Sequence, residues 1–244
     1  MEKSVWIGWE PREAAAFAVA RHSIRRHQAA RLTRSFGLVL SALRGSGLYT
    51  RPTSRRGGQL WDDISDAPMA TEFACSRFLV PHIARTMNEA NGRPRWAVFM
   101  DCDMLVRCDI QRLFDACEQS KAVMVVKHNH QPEATVKMDG QLQTRYARKN
   151  WSSVCAFNID HPANEKLTPE LVNTIPGRDL HGFCWLDDDE IGALDPGWNH
   201  LVGHSEANPD PGIVHFTDGI PSMLGYENCE FADEWWAELA RWAT

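Results

Sequence analysis

The 244-residue sequence lacks any apolar run approaching the roughly 20 residues of a membrane-spanning helix, which predicts a soluble or at most peripheral protein. It also lacks a secretory signal. The apolar stretch at residues 14–20 is about half a signal core in length, and Glu10 and Glu13 flank it, so a cytoplasmic setting is expected. No Cys-x-x-Cys pair occurs. The seven cysteines (75, 102, 108, 117, 155, 184 and 229) are odd in number and scattered, which argues against a structural zinc site and fits reduced thiols. There is no internal repeat and no low-complexity segment. Positive charge is in the minority: 26 Lys and Arg stand against 32 Asp and Glu, a net charge of -6, which excludes a general nucleic-acid binder. Acids are missing altogether between Glu13 and Asp62, where Arg21, Arg25, Arg26, Arg31, Arg34, Arg44, Arg51, Arg55 and Arg56 fall. Such a stretch most simply forms solvated helix and loop faces, and it would also suit phosphates or the inner face of an anionic membrane.

Hydrophobic residues make up 43% of the chain, enough for one large α/β domain. Residues 4–8, Ser-Val-Trp-Ile-Gly, read as a short buried strand ending at a glycine. Glu10-Pro11-Arg12-Glu13 and a helical run through Ile24 follow, the opening of a β-α-β unit. Residues 36–43 suggest a second strand, and residues 45–58 a loop rich in Gly, Ser, Arg and Pro. A helix over residues 71–87 is expected, broken or kinked by Pro81. Residues 96–100, Trp-Ala-Val-Phe-Met, form a continuous apolar run that predicts a central parallel strand buried on both faces. Residues 122–126 predict a further strand. These elements imply an α/β fold with a Rossmann-like, mainly parallel central sheet flanked by helices. Beyond residue 130 regular patterning fades, and the last helix, residues 233–242, carries Trp235, Trp236, Leu239 and Trp242. Its acids, Asp233, Glu234 and Glu238, favour packing on the body over contact with a membrane.

The central strand ends in Asp101-Cys102-Asp103, where open α/β sheets place ligands. Two carboxylates at the end of a buried strand need a partner, since unpaired buried charge is costly, and none is encoded beside them before Arg107. A hard divalent cation, manganese or magnesium, bridging carboxylates and substrate phosphates would supply it.

The sequence resembles the glycosyltransferases that include glycogenin and the bacterial lipopolysaccharide galactosyltransferases, which implies a GT-A fold over a single domain. Residues 1–130 would be the nucleotide-sugar-binding half, and residues 131–244 the acceptor half with the C-terminal helix. Trp6-Ile7-Gly8-Trp9-Glu10 resembles the first strand and nucleoside-binding loop, with Glu10 at the base. The segment from Thr71 through Arg77 to Pro81 resembles the helix whose arginine reaches the donor. Asp101 and Asp103 fall on the metal-binding acids, and Cys102 lies between them against the donor. Asn150-Trp151-Ser152-Ser153 resembles the sugar-pocket loop, and Leu186-Asp187-Asp188-Asp189-Glu190-Ile191 the acidic segment under the reacting sugar, with Asp188 or Asp189 near the anomeric carbon. Val214-His215-Phe216 falls on the histidine that is the third metal ligand. A histidine closing an Ile-Val strand before a turn also has reason to face a shared site. The implied reaction is metal-dependent hexosyl transfer from a nucleotide diphosphate sugar, a uridine one, to a glycan, lipid-linked or protein hydroxyl, with retention.

Two departures stand out. No lysine follows His215, so diphosphate charge falls to the metal, to backbone amides near Gly219, or to Arg77 or Arg12. The usual Asn-Ala-Gly of the sugar pocket is replaced, leaving Ser152 and Ser153 in its place. His128 and His130 form a weaker candidate metal pair. Trp198-Asn199 resembles a segment near the acceptor, or reads simply as a buried tryptophan in a turn. The competing functions are a haloacid-dehalogenase-like phosphatase with Asp101 as nucleophile, and a catalytically silent nucleotide-sugar-binding protein.

Overall fold

A computed structural model describes residues 3–29, 33–87, 96–129 and 148–244. Among the described residues twelve strands are present: β1 (Lys3–Gly8), β2 (Thr33–Leu38), β3 (Thr53–Arg56), β4 (Gln59–Asp62), β5 (Ala67–Pro68), β6 (Trp96–Met100), β7 (Met104–Val106), β8 (Val123–Val125), β9 (Val154–Asn158), β10 (Ile191–Ala193), β11 (His200–Leu201) and β12 (Ile213–His215). Seven α-helices accompany them: α1 (Ala14–His27), α2 (Leu40–Gly45), α3 (Val80–Met87), α4 (Gln111–Asp115), α5 (Pro169–Thr174), α6 (Gly177–His181) and α7 (Ala232–Trp242).

The main sheet has six strands in the order β10-β8-β9-β6-β1-β2. β1 runs parallel to β2 and β6, and β10 parallel to β8, whereas β9 runs antiparallel to both β6 and β8. β6 is buried along its whole length, as its unbroken apolar sequence requires of a strand covered on both faces. Ile7 stands in register with Met100, so the chain leaves β1 and β6 at one edge of the sheet. Val154 also pairs with Met100, which brings the segment before the antiparallel β9 to that same edge.

A second sheet, β11-β12-β7, begins where the first ends. The chain leaves β6, passes through Asp101-Cys102-Asp103, and continues as β7, which pairs antiparallel with β12 so that Met104 faces His215. α1 packs on β7 and on α7, and Ser23 Oγ accepts a hydrogen bond from Val106 N at 3.1 Å. Trp235 of α7 is fully buried there, while Trp236 and Trp242 are exposed. Glu238, also fully buried, accepts from His22 and Arg26 of α1 and from Arg241. The last helix therefore packs on the body through both an aromatic and a charge.

Three local expectations change. Residues 36–43 do not form one strand: β2 ends at Leu38, and Leu40 and Leu43 are buried on one side of α2, an i, i+3 spacing that the short apolar run disguised. The expected loop at 45–58 contains β3, which pairs with β4 across Gly57-Gly58. Both glycines have positive φ (58° and 86°), the backbone a tight two-residue hairpin turn needs. The expected helix over 71–87 is a 3-10 turn (Ser76–Leu79) followed by α3, with Pro81 in the first turn of α3, where it forfeits no helical hydrogen bond.

Candidate active site

Asp101, Asp103 and His215 converge at the junction of the two sheets. One ligand atom from each lies within 4.8 Å of the others, the one such group of three acidic, histidine or cysteine side chains among the described residues. Backbone pairing sets this arrangement. Asp101 N donates to Ser153 O at 3.0 Å, and Phe216 N donates to Asp103 O at 2.9 Å, fixing both ends of the acidic segment. Arg77 lies beside Asp101, with Nη1 2.9 Å from Oδ1 and 2.9 Å from Ser152 O. The rings of Phe73 and Phe99 flank its guanidinium at 5.4 and 4.7 Å. Buried against these faces, Arg77 holds a charge that the acid requires.

His215 is buried. Its Nδ1 lies 2.9 Å from Asn199 Oδ1, and its Nε2, which makes no hydrogen bond, faces Asp103 Oδ1 at 3.4 Å. The donor set of two carboxylates and an imidazole suits manganese or magnesium by its oxygens and admits manganese more readily by its nitrogen. Cys102 is fully buried and turned away, with Sγ donating to Glu13 Oε2 at 3.2 Å. Burial, reinforced by Glu13 and Asp103, pushes its thiol far above the ordinary range, so it offers the site only backbone.

Beside Asp101 opens a cleft lined by Arg77, Lys149, Asn150, Ser152 and Ser153, with the β4–β5 connection and α6 opposite. Ser152 and Ser153 are buried, and both hydroxyls are engaged: Ser152 Oγ with His181 Nδ1 at 2.7 Å, Ser153 Oγ as donor to Asn150 O at 2.7 Å. Burial, then the nearby Arg77 and Lys149 charges, holds the His181 imidazole well below its ordinary pKa. Lys149 and His181 are residues that sequence reasoning did not assign. Asn199, which with Trp198 resembles a segment near the acceptor, stands instead against His215.

A smaller pocket is bordered by Glu10, Arg12 and Glu72, with Arg55, Gly58 and Leu60 of the β3–β4 hairpin closing it. Glu10 is nearly buried, accepting from Arg12 Nε at 2.8 Å and from Glu72 N at 3.0 Å, so it organises the loop as well as bordering the pocket. Burial and the Glu10 charge raise the Glu72 carboxyl. Ile7 is fully buried, and a Cβ on Gly8 would stand 2.5 Å from the Phe73 ring, so both serve packing. Trp9, half-buried, packs edge-on against Phe17.

Asp188 and Asp189 are not part of the three-residue ligand group. They precede the edge strand β10, with β8 and β9 between it and β6, and Ile191 aligns through Val123 and Phe157 with Ala97, near the start of β6. Asp188 is 88% exposed and pairs with Arg148, which directly precedes Lys149 and Asn150 of the cleft wall, and Asp189 O accepts from Lys121. Asp187 and Glu190 form a capping box, so the acidic run makes a turn into the edge strand. Gly219 N donates to Phe216 O at 2.9 Å, closing the turn after His215, so this amide is not directed at a ligand. His128 lies just after β8, and His130 is outside the described residues.

The sheet order, with one antiparallel strand inserted between parallel ones and an acidic segment bridging to a second sheet, is that of the GT-A glycosyltransferases, and this chain has their fold. The structure resembles WbbM, a bifunctional glycosyltransferase, with a TM-score of 0.61 at 16% identity, over 97% of this chain but only 49% of that one. It also resembles the galactosyltransferase LgtC in complex with donor and acceptor sugar analogues, with a TM-score of 0.55 at 12% identity, over 99% of this chain and 96% of that one. No protein-family model matches the sequence. The sequence is 41% identical to Protein CDI of Arabidopsis thaliana over 240 residues, 96% of this chain and 85% of that protein, and the chain belongs to the family of Protein CDI.

Proposed function

We propose that the protein is a metal-dependent glycosyltransferase that moves a hexosyl group from a nucleotide diphosphate sugar, uridine-linked, to an acceptor hydroxyl with retention. The observation that carries this reading is the approach of His215 Nε2 to Asp103, with Asp101 beside them, within 4.8 Å at the ligand edge of the sheet. Two carboxylates and an imidazole nitrogen turned toward one another make an oxygen-and-nitrogen donor set for a divalent cation. Asp101, Asp103 and His215 would hold manganese or magnesium, whose contribution when bound is Lewis-acid stabilisation of the departing diphosphate.

The chain's own residues supply the rest. Arg77 keeps Asp101 in place and adds positive charge to the cleft wall. Lys149, reaching the cleft from the segment before β9, takes the part of the lysine missing after His215. Asn150, Ser152 and Ser153 shape the sugar side, and Glu10 and Arg12 border the nucleoside side, approached by the Ile7–Trp9 segment. Asp188 or Asp189 would stand near the anomeric carbon, approached from the turn that Arg148, next to the cleft residue Lys149, holds through Asp188. Residues 1–244 are read as one GT-A domain, with the donor half in 1–130 and the acceptor half in 131–244. No described helix is long and apolar enough to cross a membrane. We place the activity in the cytoplasm, against the inner membrane face where the acceptor is lipid-linked.

Calorimetric titration with uridine diphosphate tests this directly. Binding is expected with manganese, is expected to vanish with chelator, and is expected to vanish in Asp103→Asn. Absence of binding by the unaltered protein in every condition would overturn the uridine donor. Release of free phosphate in place of sugar transfer would favour the phosphatase.

A further inference from the structure

The polarity of one buried side chain at this site is fully determined by its neighbours. Asn199 has no exposed surface and lies between His215 and the loop that lines the cleft. Its Nδ2 donates to Asn150 O at 3.2 Å and to Ser153 Oγ at 2.8 Å. Ser153 cannot donate back, because its single hydroxyl hydrogen is directed to Asn150 O at 2.7 Å. Asn150 O is a carbonyl and only accepts. With both amide hydrogens committed, Oδ1 must face His215 Nδ1, at 2.9 Å. Turning the amide over would set Oδ1 against the Asn150 carbonyl, two acceptors in contact. A carbonyl oxygen opposite Nδ1 requires a hydrogen on Nδ1, so in the neutral ring the lone pair is on Nε2, the nitrogen that faces Asp103.

We propose that Asn199 is a positioning residue that fixes the His215 tautomer and ring for metal binding, and ties that aim to the Asn150–Ser153 wall of the cleft. Ring orientation by a hydrogen bond to the non-ligating nitrogen is a general requirement of histidine ligands, and losing it typically weakens metal binding about 10- to 100-fold. Here the partner is a neutral amide, which orients the ring without adding negative charge. The link has a second consequence. Ser153 O also receives the Asp101 amide at 3.0 Å, so one short loop holds the backbone of one acidic ligand and, through Asn199, the ring of the histidine. Loop and metal ligands move as a unit.

This inference rests on reading Asp101, Asp103 and His215 as metal ligands, and its test separates the two. Nitrogen NMR of histidine-labelled protein, with His215 assigned by comparison with His215→Gln, reads the tautomer in metal-free protein. With the ring neutral, protonated Nδ1 and bare Nε2 are expected, and the reverse tautomer would overturn the proposal. Manganese titration followed by the electron paramagnetic resonance of the free ion is then compared between the unaltered protein and Asn199→Ala. A 10- to 100-fold weakening, with thermal unfolding still cooperative, supports Asn199 in this role. Equal affinity in the two proteins would overturn it alone. No manganese binding by the unaltered protein would remove the metal reading and the proposal with it.

Discussion

His181 shows how a single side chain connects the cleft to stability. Its ring bonds Ser152 Oγ, packs edge-on against Phe78 at 5.2 Å, and stays neutral because burial and nearby cations disfavour its proton. The folded protein therefore binds a proton at this position less readily than the unfolded chain does. Above the unfolded value of about 6.5 both states are neutral and the residue exerts no pH dependence; below it the unfolded chain gains a proton and stability falls. His27 and His82 shift in the same direction for the same first reason, burial. Melting temperature is thus expected to decline as pH falls below about 6.5, and His181→Gln is expected to make that decline shallower. A slope unchanged by the substitution would show that other groups dominate. None of this was legible in the sequence, where His181 is one of ten histidines with no distinguishing neighbour.

Between elements, buried charge fixes positions that apolar contact alone would leave loose. The arginine-rich stretch, whose plainest sequence reading was solvated helix and loop faces, turns inward at Arg51, which is fully buried. It makes two hydrogen bonds to Asp62 of β4, at 2.7 and 2.6 Å, and donates to Val172 O and Ile175 O of the α5 region. Despite the opposing effect of burial, these bonds lower the Asp62 carboxyl and raise the Arg51 guanidinium. Because both partners are desolvated, removing one strands the other. Asp62→Ala is expected to cost about 3–5 kcal/mol in urea unfolding, whereas truncating exposed Arg25 is expected to change stability by less than about 0.5 kcal/mol. Comparable losses from the two would mean that Arg51 finds other partners or water. Sequence patterning identified β1, β6, β8 and α7 because each carries enough apolar residues to declare its period. It missed α2 and β3, where short runs of Leu, Ser, Thr and Arg are compatible with either period and tertiary pairing decides.

For the whole molecule, the ligand edge is the place where two sheets, the segment before β9 and the turn after β12 meet. Ligands that bind only the folded state stabilise it in proportion to the logarithm of their concentration. In the presence of manganese, uridine diphosphate at about 100 times its dissociation constant is expected to add about 2.7 kcal/mol, a rise of roughly 5–10 °C in Tm over manganese alone, with chelator abolishing the increment. Asp101 and Asp103 were legible because they follow an unbroken buried strand, and such a strand has only one polar end at which to place them. His215 was legible as the close of another strand. By itself the sequence determined the local pattern: a buried central strand, the acids that end it, and the α/β alternation before it. What only the tertiary structure decided was which distant residues meet. It placed Lys149, His181 and Asn199 beside the acids and joined Asp188 to Arg148, next to the cleft wall. Sheet order and register, set by long-range backbone pairing and not by neighbouring side chains, choose among residues of equal chemical promise.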